Sequence, residues 1–243
     1  MSELPKSLEE AIAASAAVTQ AAIADGYSRL QVELLIPELK PMRVAELFLA
    51  DFTQFGSHLK IFFPDAGAAA LARRDWVDVP FKIRDIGTGR VLTQMQIEPE
   101  DEAFLFIAPS AVEVNQVEKL CIEAGERPVV MLNPTLEDLL MIGVGYAGRQ
   151  LRDRFLNNIE SCYYLRTLDD VALFRCYPTL WQVWRETNDD YKLIAELPRK
   201  PSTEEIEQIL FGSAQTTDAT NSPAPKKPSI FASMQRFLRT FSG

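Results

Sequence analysis

Four apolar runs in the amino-terminal part of the chain share one design: each is almost unbroken Val, Ile, Leu and Phe, and each stops on a proline. They read LQVELLIP to Pro37, LKIFFP to Pro64, AFLFIAP to Pro109 and PVVMLNP to Pro134. Runs without polar alternation predict strands buried on both faces, and proline, which has no N–H to give to a ladder, marks where each ends. Helical patterns follow them, over 42–55, 66–74 and 112–124 and from 136 onward. The alternation predicts an α/β fold: a Rossmann-like mixed sheet, largely parallel, with helices on both faces. Ahead of it, Ser7-x-x-Glu10 is a capping box that opens a helix to about Asp25, with Leu8, Ile12, Thr19 and Ile23 on one face and Gly26 ending it. The segment 82–97 reads as an extended excursion turning at Gly87 and Gly89, a hairpin inserted in the alternation.

From Glu160 the pattern changes. SCYYLRTL and VALFRCYP flank Asp169 and Asp170, TLWQVWRE follows Pro178, and YKLIAEL follows Asn188. Short strands with Asp and Asn turns predict a C-terminal antiparallel meander added to the sheet. Ser202-x-x-Glu205 opens a last helix to about Phe211, closing a globular domain over 1–212. Residues 213–228 are rich in Ser, Thr, Pro and Ala without apolar periodicity, the composition of a flexible linker. In 229–243 the apolar residues Ile230, Phe231, Met234, Phe237, Leu238 and Phe241 form one helical stripe flanked by Arg236 and Arg239.

Charge sharpens that division. The chain carries −9 overall, yet residues 214–243 carry +3, which leaves −12 for the body. An acidic body argues against nonspecific nucleic-acid binding, which needs basic surface. The basic, Phe-rich segment on a tether fits docking on an anionic membrane or in a partner's groove, or folding back onto its own acidic domain. The three cysteines, Cys121, Cys162 and Cys176, form no CxxC pair, and a single histidine leaves no Cys/His set for a metal. Reduced thiols, no apolar leader and no run long enough to span a bilayer predict a cytoplasmic protein, with peripheral membrane contact through the tail.

Candidate chemistry is sparse. Gly143, Gly145 and Gly148 match Gly-x-Gly-x-x-Gly, which binds a dinucleotide when a strand precedes it, a helix follows, and an acid stands some way on. On that reading Leu139 to Ile142 supply the strand, Arg149 to Asn157 the helix, and Asp169 or Asp170 the acid; the ligand is NAD(P) or a nucleotide, and the protein an oxidoreductase. Against it, Thr135-x-x-Asp138 resembles a helix cap, which puts 136–142 in a helix and makes the glycines a packed bend; the residues favour the bend. A doubly wound sheet places a ligand at the carboxyl ends of its strands, where Asp65, Ser110, Asn115, Asn133 and Thr135 are presented. Capping explains Asp65, Ser110 and Thr135, and Asn133-Pro134 is a common turn pair. No nucleophile elbow is present, and His58 has no partner assignable from sequence, so no catalytic set is assigned. The run Glu98, Glu100, Asp101 and Glu102 reads as a solvated acidic loop, and Tyr163, Tyr164, Trp181 and Trp184 as packing across the meander.

The phrases LQVELLIPELKP, GSHLKIFFPDAGAAALARRDW, FLFIAPSAVEVNQVEKL, RPVVMLNPTLED and GYAGRQLRDRF, with IESCYYLR, ALFRCYP and WQVW, carry a resemblance. From Leu4 to Leu210 the chain resembles a domain-of-unknown-function family of cyanobacteria and chloroplasts. That family includes plant proteins named for low accumulation of photosystem II and described as assembly factors, and it also occurs appended to a chloroplast adenylate kinase. The resemblance implies a photosynthetic source and a non-enzymatic role in photosystem II assembly at the thylakoid membrane, with assembly proteins or photosystem subunits as partners. It brings no catalytic residues with it.

Overall fold

The computed structural model describes residues 3–87, 93–137, 145–168, 170–187 and 190–214. Gly143, the stretch 139–142, Asp138, Asp169 and Gly89 lie outside these, as do the linker and the amphipathic segment with Ile230, Phe231, Met234, Arg236, Phe237, Leu238, Arg239 and Phe241.

All four proline-terminated runs form strands: β1 (Arg29–Leu35), β2 (Leu59–Phe63), β4 (Ala103–Ile107) and β5 (Val129–Leu132). A further strand, β3 (Lys82–Asp85), lies parallel to β2 at the edge of the sheet, where the sequence suggested a hairpin. Ile83 is buried, and a helix between the two strands returns the chain to the same end of the sheet, so the pairing is a parallel crossover. After β6 (Glu160–Leu168) the strands β7 (Val171–Cys176), β8 (Trp181–Thr187) and β9 (Asp190–Leu197) form the expected antiparallel meander. The nine strands run β3-β2-β4-β5-β1-β6-β7-β8-β9, parallel from β3 to β6 and antiparallel beyond.

Two apolar layers cover the sheet. On one face, α1 (Leu8–Ala24), α2 (Pro41–Leu49) and α3 (Ala66–Asp75) pack on Leu30, Val32, Ile61, Leu105 and Val130. On the other, α4 (Val114–Ala124) and α5 (Tyr146–Arg154) pack on Phe62, Phe104, Phe106, Val129 and Met131. Phe62 and Phe106 stack at 4.9 Å, and each fully buried ring contributes about 1.5–3 kcal/mol. The last helix, α6 (Thr203–Ala214), covers Tyr164, Leu173 and Val183 of the meander.

Three of the predicted caps are in place. Ser7 Oγ accepts the Glu10 N–H at 3.1 Å, and Asp65 Oδ1 accepts that of Ala68 at 2.9 Å. Ser202 and Glu205 exchange bonds of 3.2 and 2.8 Å ahead of α6. Ser110 differs. Glu113 takes both its N–H, at 2.9 Å, and its hydroxyl, at 2.6 Å, in a turn, and α4 begins only at Val114. No helix begins at Leu136 either, since Leu136 and Glu137 are irregular, and Asp138, the partner of the cap predicted at Thr135, lies outside the described residues. The parallel ladder continues past both prolines, with Ser110 bridged to Thr135 and the Thr135 N–H bonded to Pro109 O at 2.8 Å, so this segment stays extended.

Candidate functional site

The prolines leave a mark on the backbone. Ala108 and Asn133, each just ahead of its proline, have φ of 46° and 49°, in the left-handed region that ordinary residues avoid by about 1–2 kcal/mol. Both still give their N–H to the next strand, Ala108 to Leu132 O at 2.8 Å and Asn133 to Val32 O at 2.7 Å. Asn133 offsets its strain further by accepting the Leu34 N–H on Oδ1 at 2.6 Å. The carboxyl ends of β4, β5 and β1 are thereby tied into one rigid rim.

Neighbours β5 and β1 send their chains away on opposite faces, β1 through α2 and β5 through α5, which is the arrangement that opens a crevice at the strand ends. A cavity of about 360 Å³ lies there. Its floor is Gln31, Glu33 and Leu35, alternate residues of β1; its walls are Pro134 to Glu137 after β5 and Leu156, Asn157 and Ile159 ahead of β6; and Lys200 reaches over it. Glu33 is 8% exposed. Its Oε2 accepts from Gln31 Nε2 at 3.2 Å, and Lys200 Nζ stands 3.7 Å from Oε1, longer than a closed ion pair. Burial pushes the Glu33 carboxyl above its ordinary range, while the Lys200 ammonium and the Ser161 hydroxyl pull the other way.

Of the strand-end residues named from sequence, Thr135 lines this cavity, Ser110 is bridged to it, and Asn133 completes the rim beside β1. Asp65 caps α3 and Asn115 is exposed on α4, and neither lines the cavity. Gly145 caps α5 and Gly148 is buried on it. Since β5 ends at Leu132 and α5 begins at Tyr146, β5 does not deliver its chain directly to these glycines. Asp170, at φ 53°, sits in the turn between β6 and β7. Sequence reasoning missed Glu33, Gln31 and Lys200. A signal for the first was present: Glu33 is the one charged residue within LQVELLIP, a run predicted to be buried on both faces.

The family model for the Domain of unknown function (DUF1995) matches residues 5–208, most of the chain and all of this site. The chain belongs to the DUF1995 family. The matched region ends ahead of the basic tail.

The opposite end of the DUF1995 sheet holds a second polar cluster, and it corrects the reading of the acidic run as a solvated loop at Asp101, whereas Glu100 and Glu102 are exposed as that reading expects. Lys60 and Asp101 are both buried, with Lys60 Nζ 2.6 Å from Asp101 Oδ2 and 2.8 Å from Gln96 O. Lys82 Nζ bonds Asp101 Oδ1 at 3.1 Å and Glu98 at 2.6 Å, and the Glu98 N–H reaches Asp101 Oδ2 at 2.8 Å. Burial works against the Asp101 carboxylate, yet Lys60, the Glu98 amide and Lys82 together hold its carboxyl below the usual range.

A third feature lies where α2 meets the α3–β3 connection. Leu49, Trp76, Val77, Val79, Pro80 and Phe81 line an open apolar groove of about 470 Å³ with Glu46, Asp75 and Asp78 around it. Asp78, at φ 60°, turns the chain sharply, and Val77 stands 73% exposed at the groove.

Reactive groups elsewhere are held quiet. Burial pushes the Cys121 thiol up to about 12 and the Cys162 thiol up to about 11, so both stay protonated at neutral pH. His58 is exposed, with Nδ1 2.7 Å from Glu100 O. Among the described residues no group of His, Cys, Asp and Glu is arranged to hold a metal, and no helix is long and apolar enough to cross a membrane.

Proposed function

We propose that this DUF1995 protein is a non-enzymatic accessory factor for photosystem II biogenesis. It docks a basic, apolar-faced helix of an assembly protein or photosystem subunit, and its own basic tail attaches it peripherally to the thylakoid surface. The observation that carries this reading is the groove around Val77. It combines an exposed apolar lining with Asp78 and the exposed Arg43–Glu46 and Arg74–Asp75 pairs at its edge, whose carboxylates a helix that is apolar on one face and basic beside it would engage in place of those arginines. The resemblance to the plant low-photosystem-II-accumulation proteins supplies the biological setting. A tagged protein recovered from gently solubilised thylakoid membranes is expected to bring photosystem II subunits or assembly proteins with it, and Val77→Lys is expected to lose them while keeping its fold, since Val77 is exposed. Recovery of the wild type alone, or an unchanged set of partners with Val77→Lys, overturns the reading.

The cavity over Glu33 supports a second reading, a small-ligand-binding α/β protein. A concave site at the carboxyl ends of parallel strands, with aliphatic walls and one buried, incompletely paired carboxylate, has the features of a ligand pocket.

A further inference from the structure

Beside the cavity over Glu33, on the far side of Lys200, lies an aromatic pair. Glu33 is in register with Tyr164 on β6, so the two side chains share a face of the sheet, and the Tyr164 ring meets that of Trp181 on β8 at 5.1 Å and 60°. Arg175 on β7 belongs to this row, in register with Tyr164, with its guanidinium 5.5 Å from the Trp181 ring centre and paired with Glu160, and Lys200 lies over the row from the cavity side. Its Nζ is 4.0 Å from the Tyr164 ring centre and 5.5 Å from that of Trp181, while Glu33 Oε1 stands 3.7 Å away. An ammonium between aromatic faces and a carboxylate is the chemistry by which proteins recognise organic cations.

The occupant here is the chain's own side chain, and it fits loosely. Lys200 is 47% exposed and sits on the irregular link between β9 and α6, so its side chain can swing into solvent without disturbing a ladder or a helix. Tyr164 and Trp181 are buried, and Glu33 meets the cavity from its floor, so removal of the lysine joins the aromatic pair to the aliphatic pocket. Leu35, Leu136, Leu156 and Ile159 then offer a wall for a hydrocarbon body next to the acid.

We propose that this cavity is a binding site for an organic ammonium ligand, a primary amine on a short aliphatic body, which pairs with Glu33 and displaces the Lys200 ammonium from Tyr164 and Trp181. Lys200 is the intramolecular competitor that keeps the site closed. This inference rests on the small-ligand reading and names its ligand class.

The test is calorimetric titration of the full chain with n-pentylammonium, n-pentanol and pentanoate. Wild type, Lys200→Ala, Lys200→Ser and Lys200→Ala/Glu33→Gln are compared, each first verified as folded by circular dichroism. Both lysine variants are expected to bind n-pentylammonium at least tenfold more tightly than wild type, and the double variant to lose that gain. If the lysine variants bind n-pentylammonium no better than wild type, or if Glu33→Gln leaves the gain intact, the ammonium assignment is overturned. If n-pentanol or pentanoate binds the lysine variants as tightly as the amine, the cavity is a ligand pocket of another class: the small-ligand reading stands and the ammonium assignment falls. If no probe binds any of the proteins, both fall.

Discussion

Two carboxylates are buried at opposite ends of the same parallel sheet, and the protein treats them in opposite ways. Asp101, at the amino end, meets two ammonium groups and a backbone amide, all within 3.1 Å, and its carboxyl is held below the usual range. Glu33, at the carboxyl end, meets the Gln31 amide at 3.2 Å, the Lys200 ammonium at 3.7 Å and the Ser161 hydroxyl, and burial outweighs them and pushes its carboxyl up. Both have left water, so the difference lies in how many ammonium groups came with them and how close they stand. Burial alone does not mark a functional charge. Burial without complete pairing does, because the remaining hydrogen-bonding capacity is available to something else.

The comparison breaks most visibly at Asp101. Asp101→Asn leaves Lys60 buried without its closest partner and is expected to cost about 3–5 kcal/mol in urea unfolding; a loss below about 1 kcal/mol would mean that the cluster is not a structural lock.

Glu33→Gln is expected to leave the fold as stable as wild type or more so at neutral pH, and pH sharpens the contrast. Because the folded-state carboxyl of Glu33 is raised, its contribution is fully present below the ordinary glutamate range and is lost as pH rises through the raised value. Asp101, with a depressed folded value, contributes above the ordinary aspartate range and loses that contribution as pH falls through the depressed one. The melting temperature of Glu33→Gln should therefore gain on wild type as pH rises from the ordinary glutamate range through the raised value, whereas the deficit of Asp101→Asn should shrink in acid. A difference that does not change with pH at position 33 would remove the case for a poised carboxylate.

The smallest effects lie on the rim between strands. Ala108→Gly should gain up to about 1 kcal/mol by relieving a left-handed alanine, and Asn133→Gly should lose about 1 kcal/mol with the bond to Leu34. Thermal unfolding of the pair measures this, and equal shifts would contradict the role given to the Asn133 side chain.

Most of the fold was legible because it is written in local signals. The proline-terminated runs gave the four long-range parallel strands, and the Ser7, Asp65 and Ser202 caps gave three helix starts. The hairpin assigned to 82–97 failed because β3 is a short edge strand whose parallel partner is fixed by the α3 crossover, a tertiary fact. The helix start at Leu136 failed because Thr135 is bonded to Pro109, a residue far away in sequence. The site was less legible than the fold for the same reason. Thr135 and Asn133 were found from strand ends, but Lys200 reaches Glu33 and Tyr164 only through the register of β1, β6 and β8, and the partners of Asp101 come from β2 and β3.

The position of β1 has a consequence for how the protein is made. The first strand of this sheet to be synthesised lies inside it, between β5 and β6, with Arg29 paired to Val129 and Leu30 to Glu160. Its first partner emerges roughly 100 residues later, about 5–20 s at ordinary rates of synthesis. Through that interval β2, β3 and β4 can assemble with α3, while an apolar strand carrying the acid of the cavity waits without a ladder. A nascent chain of this design exposes β1 for longer than any other part of its sheet, which makes that strand the segment a chaperone would meet and leaves the cavity floor unset until β5 has been made.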